Sequence, residues 1–192
     1  MSDLFQQQSP LVQIELGEPK GNAPRIEEKA FNGYINLRGR PEHTGFIAAM
    51  LKVLGVEAPT KANTVIDAGD HRIYWLGPDE WLIVTPAGQR EQVKNDLQAA
   101  LDGVFSSVVD NSSGLTMIHV TGENAAALLA TDCPLDLHPR EFGPGQCAQT
   151  RLAKAGMTIS PLADGTGFEI IIRRSFADYL LLWLQDAAVA FE

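Results

Sequence analysis

Apolar and polar positions first settle into a pattern at Ile35 and Leu37, which alternate with Asn36 and Arg38, the period of a half-buried strand, and the run closes at Gly39. Phe46, Ile47, Met50, Leu51, Val53 and Leu54 then follow helical spacing, predicting a helix over about His43 to Leu54 that stops at Gly55. Three short runs rich in β-branched or aromatic residues come next, at Thr64–Ile66, Arg72–Leu76 and Trp81–Val84, with Gly77-Pro78-Asp79 as the turn of a hairpin between the last two. Val93, Leu97 and Leu101 lie four apart, opposite Glu91, Lys94, Asn95 and Gln98, so a one-sided helix is expected over Arg90 to Leu101. A strand at Ser107–Val109, a turn-rich loop from Asp110 to Gly114 and a strand at Thr116–Val120 complete this stretch.

The order then restarts. Tyr34–Gly39 followed by a helix is matched by Ile118–Gly122 followed by Glu123–Ala130, each a strand closed by glycine before an apolar helix. Strands near Ala148–Leu152, Met157–Ser160 and Phe168–Ile172 and a final helix from Ser175 repeat the remainder. The expected fold is α+β with mixed or antiparallel sheets: one domain over 31–192, built from duplicated strand-helix-hairpin halves at 31–112 and 113–192. Residues 1–30 are expected as a partly extended tail, with a brief apolar interruption at Leu11–Leu16. At the other end, Ser175 with Asp178 matches a capping box, and Tyr179–Leu184 is apolar around the whole cylinder. Two readings of that helix stand side by side: one buried centrally, and one with a side facing a partner.

Composition narrows the classes. The 192 residues suffice for a true core, and 45% hydrophobic with 20% charged residues is globular. A net charge of -9 argues against binding nucleic acid or an anionic membrane. The first residues, Met1-Ser2-Asp3-Leu4-Phe5, form no signal peptide and no apolar run has the length of a span, so a cytoplasmic location is expected. The two cysteines are expected to be reduced. Gly143-Pro144-Gly145 lacks the residues of a phosphate cradle, and Cys133, His138 and Cys147 lack the paired spacing of a zinc site or a sequence-defined nucleophilic pair. His119 points away from Ile118 and Val120 as a structural histidine, and Asp110 suits a turn. Of Trp75 and Trp81, at least one belongs to the core, the other being a core or an interface residue.

Four segments in order, Trp75–Leu82, Cys133–Pro139, Cys147–Thr150 and Arg173–Tyr179, give a chain that resembles the gamma subunits of heterotetrameric sarcosine oxidases over about residues 33–188. The resemblance implies a fold like the folate-binding domain of glycine-cleavage aminomethyltransferases. It also implies a subunit that is not itself the catalyst and carries no cofactor, in a complex that demethylates sarcosine to glycine and passes the one-carbon unit to tetrahydrofolate. FAD, FMN, NAD and tetrahydrofolate are then expected on the larger alpha and beta subunits, and a zinc site on the small delta subunit. Expected partner contacts are Leu181, Trp183, Leu184, His138 and Arg173, with no catalytic and no metal-binding residue. Asp110 is the one candidate for a vestigial folate pocket, because Asp110-Asn111-Ser112 resembles the Asp-x-Ser opening of an aminomethyltransferase core. Gly156-Met157-Thr158-Ile159 lacks the carboxylate that those transferases place after a hairpin glycine. The alternative is a stand-alone folate-binding aminomethyltransferase-like protein, and a relative serving another flavin amine oxidase is a third reading.

Overall fold

A computed structural model describes residues 7–14 and 17–192; residues 1–6, 15 and 16 of the expected tail, with part of its apolar interruption, lie outside the described residues. In chain order the strands are β1 (Arg25–Glu28), β2 (Gly33–Arg38), β3 (Val65–Ala68), β4 (His71–Gly77), β5 (Glu80–Thr85), β6 (Ser107–Asp110), β7 (Leu115–Thr121), β8 (Ala148–Leu152), β9 (Ala155–Pro161) and β10 (Gly167–Arg173). The helices are α1 (Thr44–Leu54), α2 (Arg90–Ala100), α3 (Ala125–Ala130) and α4 (Ala177–Ala188).

Two antiparallel five-stranded sheets result, one ordered β3-β4-β5-β2-β6 and the other β8-β9-β10-β7-β1. The sheets are equivalent strand for strand, so the duplication expected from the restart after Gly114 is present. One feature departs from a simple repeat. β1 precedes β2 yet pairs with β7, through Arg25–Thr121 to Glu28–Ile118, while β6 precedes β7 yet pairs with β2. Only β1 thus crosses to the second half's sheet, while β6 completes the sheet of the first half, and Arg25–Glu28, expected as part of a tail, is an edge strand.

Strand alternation sorts side chains into three cores. On one outer face, Ile35, Leu37, Ile73, Trp81 and Ile83 meet α1 and α2 through Phe46, Met50, Val93 and Leu97. On the opposite outer face, Ile118, Val120, Phe168, Ile170 and Ile172 meet α3 and α4 through Leu128, Leu129, Leu180, Leu181 and Leu184. Between the sheets runs a seam of Tyr34, Val65, Tyr74, Leu82, Val84, Met117, Cys147 and Ile171. The order of layers is therefore helices, sheet, sheet, helices.

Local chemistry sets the boundaries. His43 caps α1 by accepting the Gly45 N–H, and Gly55 ends it in the left-handed conformation at φ 73°, its N–H returning to the Leu51 carbonyl. The expected capping box at Ser175 does not form. Residues Arg174–Phe176 make a 3-10 turn, so the cap position falls to Phe176, which has no side-chain acceptor, and Ser175 lies one residue too early. The segment before β1 is strapped to the second half. Leu11 enters its core, Ser9 hydrogen-bonds Glu28, and the Asn22 N–H donates to the Phe191 carbonyl at 3.1 Å. Among the described residues no helix is long and apolar enough to cross a membrane.

Candidate functional site

The charged groups that the fold brings together lie in the seam. Glu169 is on β10 between Phe168 and Ile170, both of which face α3 and α4, so alternation turns its carboxylate inward between the sheets, where it is 3% exposed. Arg72 and Tyr74, two residues apart on β4 of the other sheet, both donate to one oxygen of that carboxylate. Arg72 also reaches Asp67, Nε to Oδ1 at 3.1 Å, and its guanidinium carbon lies 5.5 Å from the centre of the Tyr74 ring. His119, from β7, stands with Nε2 3.8 Å from the second Glu169 oxygen.

Burial raises the Glu169 carboxyl above its ordinary range, although Arg72 and Tyr74 pull the other way. Burial, followed by the charge of Lys29, lowers His119 to about 4, so it is neutral near pH 7. A cleft of about 540 Å³ opens beside this group, with Glu27, Lys29, Asp67, Asp164 and Thr166 on its walls. At the other end of the seam a second cleft, about 520 Å³, is lined by Asn36, Glu80, Asn111, Gly156, Met157 and Arg173 among others. The Gly156–Thr158 stretch without a carboxylate therefore faces this second cleft.

Asp110 closes β6 and is consumed locally. One carboxylate oxygen accepts both the Ser112 N–H, at 2.9 Å, and the Ser112 hydroxyl, while the other lies 3.8 Å from Arg90 Nε. Burial pushes its pKa up, but the Ser112 bonds and the charges of Arg90 and Lys94 prevail and hold it below the usual range. Ser112 Oγ in turn accepts the Tyr34 N–H, fastening the loop to β2.

The cysteines and His138 do not converge. Cys133 belongs to the core beneath α3 and α4, and Cys147 to the seam, where burial pushes its thiol up to about 11 and its Sγ lies 3.2 Å from the Thr64 carbonyl oxygen. His138 is exposed in the loop after α3, with its Nδ1 accepting the Arg140 N–H. Trp81 is a core residue: it is fully buried, donates Nε1–H to the Pro59 carbonyl at 2.8 Å and packs on Phe46. Trp75 is half-buried against the same core.

The terminal helix requires a correction. Leu181 and Leu184, expected at a partner surface, are both 0% exposed and pack under α4 in the core, because they share its inward face with Ala177, Leu180 and Ala188. Trp183 is half-buried at the margin, and Arg173 is exposed at the end of β10. The apolar residues left outside are Phe176, Tyr179, Leu182 and Val189. Residue type alone did not reveal the seam cluster, yet a lone acid inside the apolar run Phe168–Ile172 was a visible sign that the strand turned one position toward polar partners.

A family model described as "Sarcosine oxidase, gamma subunit family" matches residues 38–190. The chain belongs to that family. Sarcosine oxidase subunit gamma from Corynebacterium sp. (strain U-96) is 33% identical over 180 residues, 93% of this chain and 86% of that one. The Arthrobacter sp. subunit gamma is 31% identical over 167 residues, 86% and 80% of the two chains. Among solved structures, a chain of the heterotetrameric sarcosine oxidase from Corynebacterium sp. U-96, in complex with pyrrole 2-carboxylate, superposes with a TM-score of 0.86 at 32% identity over 96% of both chains. The aminomethyltransferase T of the Bartonella henselae glycine cleavage system shares the fold, with a TM-score of 0.66 at 17% identity over 85% of this chain and 46% of that one. The gamma family thus has the duplicated two-sheet architecture of part of an aminomethyltransferase.

Proposed function

We propose that this chain is the non-catalytic gamma subunit of a heterotetrameric sarcosine oxidase, held against larger alpha and beta subunits beside a small delta subunit. The observation that carries the reading is the superposition at a TM-score of 0.86 over 96% of both chains on a chain from such a heterotetramer. In this proposal the cytoplasmic assembly oxidatively demethylates sarcosine to glycine and transfers the one-carbon unit to tetrahydrofolate. FAD, FMN, NAD and tetrahydrofolate are bound on the other subunits, and this chain supplies a rigid body that supports them.

The chemistry of the chain agrees with a supporting part. Catalytic acids, bases and nucleophiles need a free reacting atom within reach of substrate. Here one Glu169 oxygen accepts from Arg72 and Tyr74, the Asp110 carboxylate is taken up by Ser112 and faces Arg90, and the Cys147 thiol is buried with its pKa raised. The test is co-expression with the genes beside its own, followed by affinity purification, mass analysis of the complex and flavin absorbance. The expected result is a yellow assembly that oxidises sarcosine and contains this chain in stoichiometric amount. A colourless lone chain that binds folate saturably, and loses that binding in Asp110→Ala, would overturn the proposal in favour of a stand-alone folate-binding protein.

A further inference from the structure

The duplication supplies an internal control for the outer surface of α4. α2 follows β5 and α4 follows β10, and each lays an apolar face on its own sheet beside the first helix of its half, α1 or α3. The two helices therefore have the same place and the same packing duty. Their outward faces are opposite in character. α2 turns out Glu91, Asn95, Asp96 and Gln98, with Lys94 bonded to Glu91 at 2.6 Å. α4, with the turn on either side of it, turns out Phe176, Tyr179, Leu182 and Val189, the last two more than half exposed at 56% and 58%, and carries half-buried Trp183 along the same stripe. A polar exterior is evidently compatible with this position in the fold, so the apolar exterior of α4 answers to something other than folding.

Charge identifies the kind of occupant. Asp178 and Asp186 stand one turn before and one turn after Leu182, about 12 Å apart along the helix, and neither has an ion-pair partner among the described residues. A second copy packed across Leu182 would set Asp178 against Asp186 if the helices ran antiparallel and each aspartate against its own equivalent if they ran parallel, and like charges facing one another are repelled. A partner with cations at that spacing is attracted.

We propose that the outer face of α4 is the docking surface for a larger subunit of the oxidase, which presents an apolar groove bordered by lysine or arginine. This rests on the gamma-subunit reading above. Tyr179 and Leu182 are the anchors, buried on assembly, while Asp178 and Asp186, on either side of Leu182, set orientation.

The test compares Leu182→Glu with Gln98→Glu, the latter on the polar exterior of α2, each co-expressed with the full set of subunits and purified through a tag on the largest one. Wild type and Gln98→Glu are expected to be recovered equally, whereas Leu182→Glu binds at least about tenfold more weakly and is depleted from the complex. Thermal unfolding of each isolated chain shows whether the variant is folded; should Leu182→Glu not fold, Tyr179→Ala with Leu182→Ala takes its place under the same criterion. Recovery of a folded Leu182 variant at the wild-type level overturns the proposal while leaving the subunit reading intact. Failure of the wild-type chain to co-purify overturns both. Concentration-dependent dimers of the isolated chain that Leu182→Glu abolishes would assign the face to a second copy, and likewise overturn it.

Discussion

Replacing Arg72 by Met removes the guanidinium that crosses the seam and leaves Glu169, 3% exposed, with only Tyr74 donating to it. Removing one partner of a buried ion pair costs about 3–5 kcal/mol, because the remaining charge has neither water nor a counterion. Glu169 escapes part of that cost by taking up a proton, which burial already favours. The sign follows from linkage. Arg72 pulls the carboxyl down in wild type, so its removal raises Glu169 further; as pH rises, the folded variant holds a proton that wild type has already given up, and the variant's deficit against wild type grows. Relative to wild type, the expected loss is about 3 kcal/mol at pH 8 and about 1 kcal/mol near pH 5. Adding Glu169→Gln to the Arg72→Met chain removes the charge while keeping an acceptor for Tyr74, and should restore about 1–2 kcal/mol at pH 8. Urea unfolding reports the difference through tryptophan fluorescence, since Trp81 lies in the first half and Trp183 in the second, and coincident transitions verify a single cooperative unit. A loss below about 0.5 kcal/mol at pH 8, or one that does not shrink as pH falls, would mean that the Arg72–Glu169 pair does not stabilise the seam.

Three further outcomes are expected. Leu184→Ala, at a position with no exposure, should destabilise the isolated chain by about 2–5 kcal/mol, whereas Leu182→Ala on the same helix should stay within about 0.5 kcal/mol in urea unfolding. Cys147, its thiol raised to about 11, should resist a thiolate-selective reagent at pH 8 until the protein unfolds; mass spectrometry after timed labelling locates any modified cysteine. His119, lowered to about 4 against an unfolded value of 6.5, contributes stability that is present above pH 6.5 and is lost as pH falls toward 4. The loss across that window should be up to about 3 kcal/mol greater in wild type than in His119→Gln, and the His119 imidazole resonance, assigned by its absence from His119→Gln, should show no titration between pH 5.5 and 8 in the folded chain.

Elements with a local signature were legible in the sequence. The helix ending at Gly55 needs a left-handed residue, and the hairpin at Pro78-Asp79 needs its turn, so both could be placed without the fold. The duplication was legible because strand, glycine and helix recur in the same order. What escaped depended on contacts distant in sequence. Arg25–Glu28 has little strand character of its own and becomes β1 only because β7 presents a free edge. The same holds for α4: Tyr179–Leu184 is a continuous apolar run, and only the position of the sheet decides that Leu181 and Leu184 turn inward while Leu182 turns outward. Ser175 and Asp178 had the right spacing for a cap, but the 3-10 turn at Arg174–Phe176 shifted the helix start. Glu169 was visible as an acid in an apolar strand, yet its partners Arg72 and Tyr74 lie in the other half.

The pairing of β1 with β7, across the boundary between the halves, has a consequence for how the chain is made. During synthesis β1 leaves the ribosome first, but its pairing strand begins only at Leu115, so β1 waits several seconds at ordinary elongation rates while the sheet of β2 to β6 assembles beside it. Cutting the gene in the loop between Asp110 and Leu115 would yield an amino-terminal product with a complete five-stranded sheet and a spare strand, and a carboxy-terminal product lacking one edge. The two products would recognise each other through that missing strand, which makes the halves resemble separate domains in architecture but a single unit in inheritance.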